Sequence, residues 1–185
     1  MRLFIAVDVD EQVRRQLASV QKQMRQAFSG PGVKWVNPDL IHLTLKFLGE
    51  VPDRDVPQVC RLTEETAHRH SPFEIRVQGI GTFGKPPRVL WVGVLDSEKL
   101  AALAEDIEKT FEKAGWPREE KGFSAHLTLA RIKDPKAGGA VERAVQTQPP
   151  RTFGDVWVDQ VVVYESQLSA GGPIYTPAGK YDLNG

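Results

Sequence analysis

The chain has 185 residues, with 24 basic and 24 acidic side chains, four histidines and a single cysteine, Cys60. That length suits one domain with a sizeable core, and the cancelled charge excludes a global field able to hold long nucleic acid by counterion release. One cysteine excludes an internal disulfide framework and argues against a structural zinc site, and no stretch approaches the roughly 20 apolar residues that span a bilayer.

The opening, Met1 to Asp10, is an apolar run too short for a signal peptide and is cut by aspartates, so a cytoplasmic protein is expected. Leu3 to Val9 reads as an interior strand, after which Asp10 caps a helix through about Ser29 with Val13, Leu17, Val20 and Met24 on one face. Gly30-Pro31-Gly32 stops it, and Trp35 and a short polar connection lead to a strand beginning His42-Leu43-Thr44-Leu45. A helix over Pro57 to His70 follows, with Cys60 as an ordinary helix residue and His68 and His70 at its surface end; then comes a strand over Phe73 to Ile80. Thr82 to Pro87 is a proline- and glycine-rich rim whose glycines are too few for a P-loop.

From there the order repeats. Arg88 to Asp96 is a strand, Leu100, Leu103, Ile107 and Phe111 mark an amphipathic helix that ends at Gly115, and Trp116 and a polar connection lead to His126-Leu127-Thr128-Leu129. Gly139 to Gln148 reads as a helix, Val156 to Tyr164 as a strand, and Gly171 to Pro177 as a flexible rim. A repeat of roughly eighty residues is too long for a solenoid. It predicts an α+β fold of two lobes related by a pseudo-twofold, a single bilobed domain over 1–185 with repeat units 1–85 and 86–185, and the two motif strands lining a central cleft.

Side chains alternate along a strand, so His42 and Thr44 share one face and their leucines the other, and the same holds for His126 and Thr128. A cleft holding two imidazoles and two hydroxyls suits acid–base chemistry on a phosphate. A duplicated structural His-Thr pair would give the same pattern, so the repeat alone leaves both meanings open. Arg131, five positions after His126, has the wrong parity for that face and needs a bend to enter the cleft; Phe47 holds the equivalent place in the first copy, where spacing alone suggests the core. No acidic cluster suggests two-metal phosphoryl transfer.

Paired His-x-Thr motifs in two similar halves resemble the two-histidine phosphoesterase superfamily. The segments His42 to Gly49 and His126 to Arg131, with the Met1 to Val7 opening, Trp35-Val36, Tyr164 to Leu168 and Gly172 to Tyr175, are similar to its RNA 2′,3′-cyclic phosphodiesterase branch, also known as 2′–5′ RNA ligases. The resemblance implies opening of terminal 2′,3′-cyclic phosphates to 2′-phosphates without metal or cofactor, with reverse ligation as an accompanying activity. It makes His126 the base that activates water and His42 the acid that protonates the leaving oxygen, although the residues themselves fit either order. Thr44, Thr128, Arg131 and Phe47 become substrate contacts. The implied partners are RNA ends or small nucleotides bearing a cyclic phosphate, bound by a monomer away from membranes. A module that binds such ends without turnover is the alternative.

Overall fold

The apolar opening forms β1 (Arg2–Asp8), and the helical period after it forms α1 (Glu11–Ala27). The Asp10 carboxylate caps α1 by accepting from the Val13 amide at 2.8 Å. The computed structural model describes residues 1–27, 31–95 and 97–185, so Gly30, the last residues of the expected helix and Asp96 lie outside the described residues. After β2 (Val33–Trp35) and a 3-10 turn (Pro38–Leu40) come β3 (His42–Glu50), α2 (Val56–Ala67), β4 (Phe73–Phe83), β5 (Val89–Leu95) and α3 (Glu98–Lys113). β6 (His126–Ile132), α4 (Pro135–Gln146), β7 (Thr152–Val158), β8 (Gln160–Ser169) and β9 (Gly172–Asp182) complete the chain.

Three expectations need correction here. The single strand over Val156 to Tyr164 is two strands that break at Asp159, and the flexible rim over Gly171 to Pro177 is the start of β9. β9 tolerates Pro173 and Pro177 because it is the edge strand of its sheet, where a missing amide donor costs no ladder bond on the open side. His70, expected as a surface residue, is half-buried and bonded through Nε2 to the Asp106 carboxylate at 3.0 Å.

The strands form two antiparallel sheets, ordered β3-β1-β8-β9 and β2-β6-β5-β4-β7. Apart from β2, the orders correspond one to one: β3 with β6, β1 with β5, β8 with β4 and β9 with β7. This is the duplicated α+β architecture that the repeat predicts. The sheets nevertheless exchange strands between sequence halves. β4, which closes the first unit, pairs with β5, while β8 returns to β1 and β9 adds outside it.

Helices cross over too. α1 leaves β1 to pack against β7 of the other sheet, whereas α2 and α3 contact each other and the sheet containing β3. Leu3, Ile5 and Val7 of β1, Leu43 and Leu45 of β3, and Leu100, Leu103, Ile107 and Phe111 of α3 are buried in the core, as are Leu127 and Leu129 of β6. The motif leucines thus anchor both motif strands by apolar burial and leave the His-Thr faces toward the opposite side.

Candidate active site

The two motif strands occupy equivalent places at the junction of the sheets, where β3 and β6 touch. The connection between them explains how they are held. Trp35 of β2 pairs with Ala130 of β6, and only residues 36–41 separate it from His42. That short link is clamped: the Arg14 guanidinium donates to the carbonyls of Pro38 at 2.9 Å and Val9 at 3.1 Å. The buried Gln21 amide donates to the carbonyls of Val36 at 2.8 Å and Leu129 at 2.9 Å.

Both histidines are pinned in the same way. His42 Nδ1 donates to the Leu40 carbonyl at 2.8 Å, and His126 Nδ1 donates to the Ser124 carbonyl at 2.7 Å. A carbonyl oxygen can only accept, so Nδ1 carries a proton in each ring and Nε2 is left to accept a proton when neutral or donate one when charged. Orientation and tautomer are therefore set by backbone two residues upstream, in each copy of the motif.

A pair of bulges decides what joins the histidines. In β3, Lys46 pairs with Ile5 and Thr44 with Ala6, so Leu45 is an extra residue; in β6, Ala130 pairs with Leu90 and Thr128 with Trp91, so Leu129 is extra. An extra residue reverses the alternation beyond it. Leu45 and Lys46 are consequently both buried, as are Leu129 and Ala130, and the next residues, Phe47 and Arg131, turn back to the histidine face. The bend that Arg131 required is this bulge. Phe47 is 57% exposed rather than in the core that spacing alone suggests.

The two lobes differ in what surrounds each imidazole. His42 stacks on Phe4 with centroids 4.7 Å apart and meets the Tyr175 ring edge-on at 5.2 Å, beside a recess of about 100 Å³ lined by Asp8, Asp39, Leu40, Ile41, His42, Tyr164 and Tyr175. The Tyr164 hydroxyl donates to both oxygens of Asp8, at 2.9 and 2.8 Å, and Asp8 stands opposite His42 in the β1–β3 register. Burial pushes the His42 pKa below the ordinary imidazole value, partly opposed by the Leu40 carbonyl and by Asp8. His126 stands opposite Gly93 instead and meets Phe83 edge-on at 5.0 Å.

Next to it, the indole of Trp91 lies over Gly81, directly opposite Thr128. A Cβ at Gly81 would overlap that ring. Gly81→Ala is expected to destabilise the fold by about 1–3 kcal/mol, the range for overpacking, and to lower kcat/KM by displacing Trp91 against Thr128. Thermal unfolding and initial rates check this, and an unchanged rate would remove Trp91 from the support of Thr128.

Phe4, Asp8, Tyr164, Tyr175 and Trp91 were not legible as site residues in the sequence. The alternation of Phe4, Ala6 and Asp8 along β1 was the available signal. Among the described residues no group of three His, Cys, Asp or Glu side chains gathers as a metal site would require, and no helix is long and apolar enough to cross a membrane. A larger hollow of about 500 Å³ lies on α2 and α3, away from both motifs, and its Arg69 is already engaged with Asp106 at 3.0 and 3.1 Å.

Comparison with known proteins agrees with this geometry. The pattern of the family described as LigT like Phosphoesterase matches the chain twice, over residues 7–91 and 92–175. An RNA 2′,3′-cyclic phosphodiesterase of Archaeoglobus fulgidus is 37% identical over 178 residues, covering 95% of this chain and 96% of that protein. A crystal structure of a protein from Thermus thermophilus superposes with a TM-score of 0.83 at 34% identity, covering 100% of this chain and 99% of the other. E. coli LigT complexed with 3′-AMP superposes with a TM-score of 0.81 at 26% identity, covering 100% and 98%. With the family pattern spanning both halves, the chain belongs to the LigT-like phosphoesterases.

Proposed function

We propose that this protein is an RNA 2′,3′-cyclic phosphodiesterase in which His42 and His126 carry out acid–base catalysis without metal. The similarity over nearly the whole chain to proteins of that name supports the activity. The observation that carries the mechanism is the identical pinning of the two Nδ1 atoms, which leaves two Nε2 atoms free for proton transfer. In the reaction, water attacks phosphorus while His126 Nε2 takes its proton; the bond from phosphorus to the ribose 3′-oxygen breaks, and His42 Nε2 gives that oxygen a proton. The phosphate stays on the 2′-oxygen. Thr44 and Thr128 hydroxyls and the Arg131 guanidinium hold the non-bridging oxygens and offset charge that develops there. Phe47, exposed at the same face, offers a ring on which the terminal base stacks. With an RNA 5′-hydroxyl in the place of water, the same groups can join that hydroxyl to the cyclic phosphate, the new bond to phosphorus forming as the bond to the 3′-oxygen breaks; this is the 2′–5′ ligase reaction.

The same reading takes residues 1–185 as one bilobed domain built from units 1–85 and 86–185, acting as a cytoplasmic monomer on RNA ends or small nucleotides. Strand exchange between the sheets supports a single folding unit.

The test is conversion of a short RNA ending in a 2′,3′-cyclic phosphate, in the presence of EDTA, with the phosphate located in the product. A 2′-phosphate is the expected product, formed at a rate that EDTA leaves unchanged; tight binding with no conversion would instead identify a module for nucleotide or RNA-end binding.

Acid–base catalysis by two groups predicts a bell-shaped dependence of kcat/KM on pH. With His42 as the acid, the alkaline limb belongs to it: activity falls as pH rises through its pKa, and burial places that limb on the acid side of an ordinary imidazole. Asp8→Asn removes a carboxylate that favours the charged ring, so it is expected to move the alkaline limb further toward acid. Movement of the acid limb in its place would reverse the two roles.

A further inference from the structure

The cleft carries more positive charge than one cyclic phosphate needs. The extra residues of the β1–β3 pairing, Leu45 and Leu48, lie in β3, so alternation along β1 puts Arg2 on the same face as Phe4 and Asp8, at the end of the strand remote from Asp8. Phe4, the next residue on that face, stacks on His42 and meets the Tyr175 ring edge-on at 5.0 Å. Tyr175 feels both Arg131, from the other sheet, and Arg2, which act against the effect of burial on its hydroxyl. Tyr175 thus shares the face of Phe4 and Arg2 and touches the proposed acid. Lys34 extends the strip, since it stands opposite Arg131 in the β2–β6 register.

Arg2, Arg131 and Lys34 are exposed, and among the described residues none of their side chains has a hydrogen bond or an ion pair. Glu50 is opposite Arg2 in the register without forming an ion pair with it. In a chain of 24 basic and 24 acidic residues, three unpaired cations along one face of one cleft are a local device. A terminal cyclic phosphate carries one negative charge, which Arg131 and the two threonines suffice to hold. Arg2 is surplus to it and lies along the strand direction away from the His42 recess.

We propose that Arg2, exposed on the face of β1 that carries Phe4, forms a subsite for the phosphodiester that links the terminal nucleotide to the rest of the RNA. The subsite makes the enzyme prefer RNA ends over mononucleotides, and it rests on the function proposed above. Arg2 is a binding residue and not part of the proton-transfer machinery. Its guanidinium suits the two non-bridging oxygens of a phosphodiester, and its exposed position at the start of β1 leaves the fold indifferent to its replacement.

The test compares wild type and Arg2→Gln on adenosine 2′,3′-cyclic phosphate, which has no second phosphate, and on the dinucleotide ApA ending in a 2′,3′-cyclic phosphate. For Arg2→Gln, kcat/KM on the dinucleotide is expected to fall about tenfold, through KM, with mononucleotide turnover unchanged. Its KM on the dinucleotide should also lose about one unit of slope against log salt. A dinucleotide with a neutral methylphosphonate at the internal link should bring wild type to the variant's value. Equal losses on both substrates, or no loss on either, would overturn the subsite and leave the phosphodiesterase reading standing. Absence of wild-type turnover on both substrates would overturn the two together.

Discussion

His126→Ala and His42→Ala are each expected to slow the opening of a terminal 2′,3′-cyclic phosphate by roughly 10²–10⁴-fold, the usual contribution of a positioned proton-transfer group. The reason lies in how each ring is held. Backbone carbonyls of Leu40 and Ser124 fix Nδ1, so the ring spends none of its hydrogen-bonding capacity on the cleft except at Nε2. Replacement removes that one reactive nitrogen, while the leucines that anchor each strand, Leu43 with Leu45 and Leu127 with Leu129, remain buried. Both variants should therefore unfold at nearly the wild-type temperature. The double variant should be much less impaired than the product of the two single effects, since base and acid serve one displacement. Rates under enzyme excess, with the unfolding temperature as control, decide the matter. A His126→Ala protein that retains wild-type turnover would remove it from the mechanism.

Lys46→Met is expected to cost about 3–5 kcal/mol of stability, the range seen when one partner of a buried ion pair is deleted. Lys46 is the residue that the β3 bulge turns inward. Its side chain is 1% exposed, its ammonium donates to Glu108 of α3 at 2.8 Å, and it donates to the Pro117 carbonyl at 2.9 Å. Removing it leaves the Glu108 carboxylate with only the Glu119 amide, which donates to Oε2 at 3.4 Å, and its Oε1 already has no partner among the described residues. The double change Lys46→Met with Glu108→Leu should recover most of the loss, because an imperfectly satisfied buried pair contributes little over an apolar packing of similar volume. Urea unfolding of the three variants measures this. Loss of stability in Lys46→Met that persists in the double variant would place the main role in the bond to Pro117, on the segment that leads to His126.

How far the site could be read from the chain follows from the periodicity of strands. His42, Thr44, His126 and Thr128 were legible because two residues apart on a strand means one face, and the tetrapeptide occurs twice. Phe47 and Arg131 were not legible by the same rule, since each lies beyond a bulge, and a bulge leaves no mark in the local sequence beyond an interrupted alternation. Lys46 was unreadable for the same cause: a lysine next to a motif suggests solvent, and only the reversed parity sends it into the core. The element order was also legible, except for β2, the break between β7 and β8, and β9. The prolines and glycines of β9 match a loop as well as they match an edge strand, and only the pairing with β8 distinguishes the two. Which sheet each strand joins lay beyond local pattern altogether.

The exchange of strands between the sheets limits how a single unit could fold. Cut between β4 and β5, the first half would carry a strand whose neighbours are in the second half, and the second half would carry β8 and β9 without β1. An ancestor with one unit could have built these sheets only as a symmetric pair of chains, each lending its last strand to the other, so that folding and dimerisation were one event. Two copies joined end to end make that association an intramolecular closure independent of protein concentration. The joined halves are also free to differ, and here Asp8 faces one histidine and Gly93 the other.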